Sequence, residues 1–401
     1  MFDFDHVPDR RVTNSMKWST GASRLSSAQH AADPLPMWVA DMDFRVAEPI
    51  VQALHKLVDF GIYGYGSMPA TFADTVVDWQ RRRFDWHAEP HWLVHTPGIV
   101  NAINMAIQAF TVPGDYVLIQ TPVYVHFHYD VLINGRRLAE APLAFDGTRY
   151  SFDPVSFEAA IKPGTKLFIL CHPHNPTGNV WTREELTLMA EICARHGVIV
   201  VSDEVHQDLV WQPGLKHIPF ASVSQTAAEN SLICTAPSKT FNIAGLQCSN
   251  IFIPNEHLRT AFRAQCERSG INLINIMGIT ACEAAYRDCE GWLDALLPYL
   301  RGNQELFADM INSANLPIKV IETGALYLAW IDCRKLAQET DDIHDYVIRN
   351  ARLWLDAGTK FGTGGEGFLR INLACPRAQV EGAAQRLIGM FDRPLEALTH
   401  G

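Results

Sequence analysis

Between residues 116 and 253 short apolar runs alternate with amphipathic ones, and this alternation restricts the fold more than any other feature. Strand-like runs fall at 116–120, 137–142, 166–171, 198–202, 231–235 and 248–253, and helical spacing occupies 125–133, 154–161 and 182–196. The helix at 182–196 carries its own boundaries. Thr182 and Glu185 form a capping box, and Gly197 ends it. Val198-Ile199-Val200-Val201 is apolar on both faces, as a central parallel strand must be. The pattern predicts an α/β fold: a mostly parallel central sheet flanked by helices. Upstream, 46–59, 71–86 and 99–110 read as helices. Downstream, 255–269, 276–288, 292–314, 342–355 and 377–391 read as helices around strands at 319–321, 327–331 and 368–373. That segment is α+β, so a large domain over 46–292 and a smaller one over 293–401 are expected. Residues 1–45 look irregular.

At 401 residues the chain exceeds what one core usually holds, which agrees with two domains. A net charge of −11 disfavours nucleic acid and anionic membranes as partners. No apolar run reaches membrane-spanning length, and no secretory signal is seen at the N-terminus. Nine scattered cysteines without a C-x-x-C pair read as reduced thiols, which points to the cytoplasm.

Four stretches carry chemistry. Lys239 lies in Ser238-Lys239-Thr240-Phe241-Asn242-Ile243-Ala244-Gly245-Leu246, between two strand-like runs. Burial there lowers a lysine pKa, and a neutral amine condenses with an aldehyde. Asp203 ends the apolar run at 198–202, where open α/β sheets place ligand groups; taken alone it also reads as the start of a loop. Gly98 opens the helix at Ile99 and Val100, which is either an anion site or simply a well-started helix. Arg370 sits on an apolar strand, where its planar fork suits a carboxylate. Gly362, Gly364 and Gly367 satisfy G-x-G-x-x-G, but a strand follows them, so no dinucleotide site is read. His126, His128, His172 and His174 lack metal-ligand spacing, and no metal site is expected.

The S-K-T-F-N-x-A-G-L segment, with Asp203-Glu204-Val205-His206 some 36 residues before Lys239, resembles the fold-type I enzymes of the class I/II aminotransferase superfamily. These use pyridoxal 5′-phosphate (PLP), and the resemblance spans nearly the whole chain. It implies that Lys239 holds the aldehyde and Asp203 pairs with the pyridine nitrogen. Asn175, in His174-Asn175-Pro176-Thr177-Gly178, and His206 would lie at the phenolic oxygen, and Tyr124 would stack on the ring. The phosphate would sit on Gly98, Ile99 and Val100 with Ser238. Tyr65 would reach the neighbouring subunit's phosphate, which requires a homodimer. Arg370 would take the substrate carboxylate. Two departures stand out: Gln247 occupies the place of a phosphate-gripping arginine, and Glu322-Thr323-Gly324-Ala325-Leu326-Tyr327 replaces a P-E-x-T-Y run.

Trp38-Val39-Ala40-Asp41-Met42-Asp43-Phe44, together with the stretch from Gly364 to Arg377, is similar to the MalY/PatB type of cystathionine β-lyase. That branch implies Trp38 and Val39 at the substrate and residues 1–45 in the small domain. The implied reaction is β-elimination. Lys239, freed by the substrate amine, acts as base at Cα, and a thiolate leaves Cβ, giving a thiol, pyruvate and ammonia. An aminotransferase stays open as a second reading, and a regulatory binding role beside catalysis as a third.

Overall fold

The computed structural model describes residues 2–392 apart from 339 and 341. A seven-stranded mixed sheet is its centre, built from β1 (Leu93–Thr96), β2 (Tyr116–Ile119), β3 (Arg137–Glu140), β4 (Thr165–Cys171), β5 (Ile199–Asp203), β6 (Ser231–Thr235) and β7 (Ser249–Phe252). The order is β1-β7-β6-β5-β4-β2-β3. The run from β6 to β3 is parallel, and β7 is antiparallel to both its neighbours. Strands β1 and β6 therefore point the same way, and the carboxyl ends of β1, β2, β4, β5 and β6 share one edge.

Both faces of this sheet are buried, because side chains alternate along each strand. Along β4, Phe168 and Leu170 join one apolar cluster, whereas Leu167, Ile169 and Cys171 join the other. The helix Ile99–Phe110 covers the second face through Ala102, Ile103 and Ala106. The helix Arg183–Arg195 covers the first through Leu186, Met189 and Cys193. Its capping box forms as the sequence reads: Thr182 Oγ accepts from Glu185 N, and Thr182 N donates to Glu185 Oε2.

A second, antiparallel sheet contains β8 (Lys319–Val320), β9 (Leu328–Asp332), β10 (Asp356–Ala357) and β11 (Phe368–Asn372), in the order β8-β9-β11-β10. Helices Glu290–Ser313 and Arg377–Gly389 pack over it, with Phe307, Ile311, Val380 and Ala384 against Ala329, Ile331, Leu369 and Ile371.

Two expectations are corrected. The helix read over 342–355 is only Ile343–Ala351. Arg352 takes the left-handed conformation at φ 51°, and extended chain follows through Leu353–Trp354 into β10. Residues 1–45 are not merely irregular. Ser26 and Gln29 close a capping box on Ser27–Ala31, and Leu35–Pro36 pairs in parallel with Leu353–Trp354. This pairing carries the following segment, residues 38–44, to the shared sheet edge.

Candidate active site

Lys239 lies on the one-turn helix Pro237–Thr240, directly after β6. Thr240 anchors that turn by donating to Asp208 Oδ2 at 2.7 Å, and Trp79 Nε1 donates to the other oxygen at 3.1 Å. The Lys239 ammonium is partly buried and donates to Ala40 O at 2.7 Å. Burial, then the positive field of Arg370, pushes its pKa down to about 8, against an opposing pull from Asp41 and Asp203.

Asp203 ends β5, is 6 % exposed and accepts from Val205 N at 3.1 Å. Burial pushes its carboxyl up to about 7, opposed by that hydrogen bond and by Lys239. His206, buried one turn on, is held far below the ordinary imidazole range by burial and by the charges of Lys239 and Arg370, so it is neutral. Its Nδ1 has no hydrogen-bond partner among the described residues. A buried, unpaired imidazole nitrogen is costly unless a ligand meets it.

Tyr124 follows β2 and caps the helix Val125–Ile133. Burial and then the negative field of Asp203 raise its pKa, so the phenol keeps its proton. His174 ties the loop after β4 to this one, through a 2.8 Å bond with Pro122 O. Asn175, in the same loop, accepts from Arg370 Nη1 at 3.0 Å. Gly178 has φ 72°, and a Cβ there would overlap Thr323 Oγ1, so only glycine lets this loop meet the 323–325 turn. Gly98 caps the helix Ile99–Phe110 at φ 108°, after β1. Ser238 stands partly buried beside Lys239.

Residues 38–44 form a strap across this edge, gripped through its carbonyls. Arg370 Nη2 donates to Trp38 O at 3.0 Å, and Tyr327 donates its hydroxyl to Ala40 O at 3.0 Å. Asn372 Nδ2 donates to Val39 O at 2.5 Å and to Asp41 O at 2.6 Å. Asn242 accepts from Met42 N at 2.9 Å and donates to Met42 O at 2.9 Å. Asp43 anchors the strap from behind, paired with buried Lys17 at 2.6 Å and with Arg10 at 2.6 Å. The Trp38 side chain points away into a stack with Trp354, at 4.5 Å between centroids, so its carbonyl is what meets Arg370.

Lys239, Asp203, His206, Tyr124, Asn175, Arg370 and the carbonyls of Trp38 and Ala40 thus come together, linked by the bonds and mutual fields above. Gly98 and Ser238 lie on the same edge. Tyr65 does not join them within the chain: it is 100 % exposed, in a loop with exposed Ile62 and Tyr63. Gln247 is exposed on a left-handed turn at φ 51°, so it supplies no cation at the place where the resemblance expects an arginine. Sequence reasoning missed Asn242, Asn372 and Tyr327 as strap holders, although all three stand in the quoted motifs. It also missed Asp356, which pairs with Arg370.

Fold and site together define an α/β protein with a weakly basic lysine set at the carboxyl edge of its sheet. Residues 14–387 match the model of the aminotransferase class I and II family, and the chain belongs to that family. It is 41 % identical to cystathionine beta-lyase PatB of Bacillus subtilis, over 96 % of this chain and 98 % of that one. It is 34 % identical to protein MalY of Escherichia coli, over 97 % and 98 %. Among solved structures it superposes on cystalysin from Treponema denticola, which contains a pyridoxal 5′-phosphate cofactor, with a TM-score of 0.92 at 32 % identity, covering 98 % and 99 %.

Proposed function

We propose that the protein is a PLP-dependent C–S β-lyase, converting cystathionine or another cysteine S-conjugate, with water, into a thiol, pyruvate and ammonia. The observation that carries this is the meeting of Lys239, Asp203 and Arg370 at one sheet edge in a chain so similar to PatB along its length.

The residues present fit the cofactor. Lys239 would hold its aldehyde, Asp203 its ring nitrogen, and Asn175 with His206, whose Nδ1 has no partner among the described residues, the side of its phenolic oxygen. Tyr124 would cover the ring, and Gly98, Ile99, Val100 and Ser238 would receive the phosphate. When bound, PLP supplies an electron sink for negative charge at the substrate Cα. The chain does the rest. Arg370 takes the α-carboxylate. Lys239 Nζ, whose lowered pKa of about 8 makes its neutral form far more accessible than an ordinary lysine's, removes the Cα proton. Asp203 keeps positive charge on the ring nitrogen. The strap shields the site from water on the side of Trp38 and Val39. In this reading residues 46–292 form the large domain, with 1–45 and 293–401 in the small one. The exposed loop of Ile62, Tyr63 and Tyr65 faces a second copy, whose site Tyr65 completes.

Two measurements check the reading. Incubated with S-methyl-L-cysteine and no added 2-oxo acid, the holoenzyme is expected to release pyruvate and methanethiol in equal amounts. Strict dependence on an oxo acid points instead to transamination. The second follows from the amine. Lysine is reactive only when neutral, so PLP capture by the apoprotein should speed up as pH rises through about 8 and level off above it. Stopped-flow absorbance reads this directly, and a midpoint near 10 rules out the depressed amine.

A further inference from the structure

Arg370 is 5 % exposed, and its surroundings hold it from several sides. Nη1 donates to Asn175 Oδ1 at 3.0 Å, and Nη2 to Trp38 O at 3.0 Å and to Asp356 Oδ2. The Phe361 ring lies under the guanidinium, 4.9 Å from its carbon. Of these partners only Asp356 carries charge. It stands directly opposite Arg370 in the antiparallel pairing of β10 with β11, so the backbone register sets their approach. Its other oxygen, Oδ1, receives Lys360 Nζ at 3.0 Å. Arg370 Nε is buried and has no partner among the described residues, which leaves a donor free for a ligand.

We propose that Asp356 is a positioning residue for the substrate carboxylate: from the adjacent strand it fixes the rotation of the Arg370 fork, and Lys360 fixes Asp356 in turn. The proposal rests on the reading of Arg370 as the carboxylate site. Bidentate capture requires the planar fork in one orientation. A buried guanidinium without a counter-anion is unfavourable, so the resting enzyme needs Asp356 before any substrate arrives. The Asn175 and Trp38 contacts are neutral, and both come from loop segments. Asp356 is the partner that combines charge with a strand-set position.

The test compares kcat/KM for S-methyl-L-cysteine with that for S-methyl-L-cysteinamide, which lacks the carboxylate. The dissociation constant of propionate for the holoenzyme is measured alongside by calorimetry. Asp356→Ala is expected to cut the acid-to-amide preference about tenfold to a hundredfold, the range for losing one charged hydrogen bond. That loss should appear in KM, with kcat within about threefold, and propionate should bind correspondingly weaker. Asp356→Asn, which keeps an acceptor, should recover part of the loss. Lys360→Met should shift the same ratio in the same direction by less, and both variants carry the measurement if Asp356→Ala does not fold. An unchanged preference in Asp356→Ala, with the preference lost in Arg370→Ala, overturns the proposal and keeps the Arg370 reading. An unchanged preference in both overturns the two together. Tighter propionate binding in both Asp356 variants means that Asp356 only neutralises charge, and it also overturns positioning.

Discussion

Lys239→Ala removes turnover: pyruvate release from S-methyl-L-cysteine is expected to fall at least about ten-thousandfold, the upper range for losing a positioned general base. Lys239 both holds the cofactor and moves the Cα proton in the proposed reaction, and no neighbouring amine among the described residues is free to replace it. Arg370 is a guanidinium paired with Asp356, Lys360 is paired with the other oxygen of Asp356, and Lys17 is committed to Asp43. The fold should survive the change. Lys239 makes one hydrogen bond, to Ala40 O, while the turn that carries it is held separately by Thr240 on Asp208. The strap keeps its bonds to Asn242, Tyr327, Asn372 and Arg370. Circular dichroism and the thermal midpoint should therefore match the parent protein, and borohydride treatment should leave no cofactor on the chain. Residual activity above about one per cent of the parent would move the base to another residue and remove the centre of the proposed mechanism.

What the sequence revealed and what it hid have separate physical causes. The helix Arg183–Arg195 was legible because its ends are local: Thr182, Glu185 and Gly197 fix them without help from the rest of the fold. Ser231–Thr235 and Ile276–Asp288 were legible to the residue, through apolar runs and spacing. The extended chain at Leu353–Trp354 was not. Leu353, Trp354 and Leu355 fit a buried helix as well as a strand, and only pairing with Leu35–Pro36, more than 300 residues away, decides it. That misreading also hid Asp356, which would have lain just past a helix end rather than across a ladder from Arg370. Lys239, Asp203, Asn175 and Arg370, which the structure brings together, stood out in the sequence because their side chains lie within recognisable motifs. The strap could not, since it acts through carbonyl oxygens that every residue possesses. Asn242 and Asn372 gave a faint signal: each is a polar residue between apolar neighbours, Phe241 and Ile243 or Ile371 and Leu373, and each bonds to strap backbone.

Asp203→Asn keeps the shape of the side chain and removes its charge, so it separates electrostatics from packing. Asparagine can hydrogen-bond but cannot hold positive charge on a ring nitrogen. Removing one partner of a buried charged pair costs about 3–5 kcal/mol. With about 1.4 kcal/mol per decade, kcat/KM should fall by about two to four orders of magnitude. A second readout needs no turnover. Asp203 draws the Lys239 pKa upward, against the burial and the Arg370 charge that depress it. Loss of that carboxylate leaves the depressing influences less opposed, so the midpoint for PLP capture by the apoprotein should move below its parent value near 8. A group with a lower pKa is neutral at lower pH, and capture at pH 7 should therefore be faster in the variant even as catalysis collapses. Faster capture with slower turnover is hard to produce by damage to the fold, which would slow both. Were the midpoint to stay where it is while activity falls, Asp203 would not be in electrostatic contact with the lysine, and the placement of the cofactor ring between them would have to be abandoned.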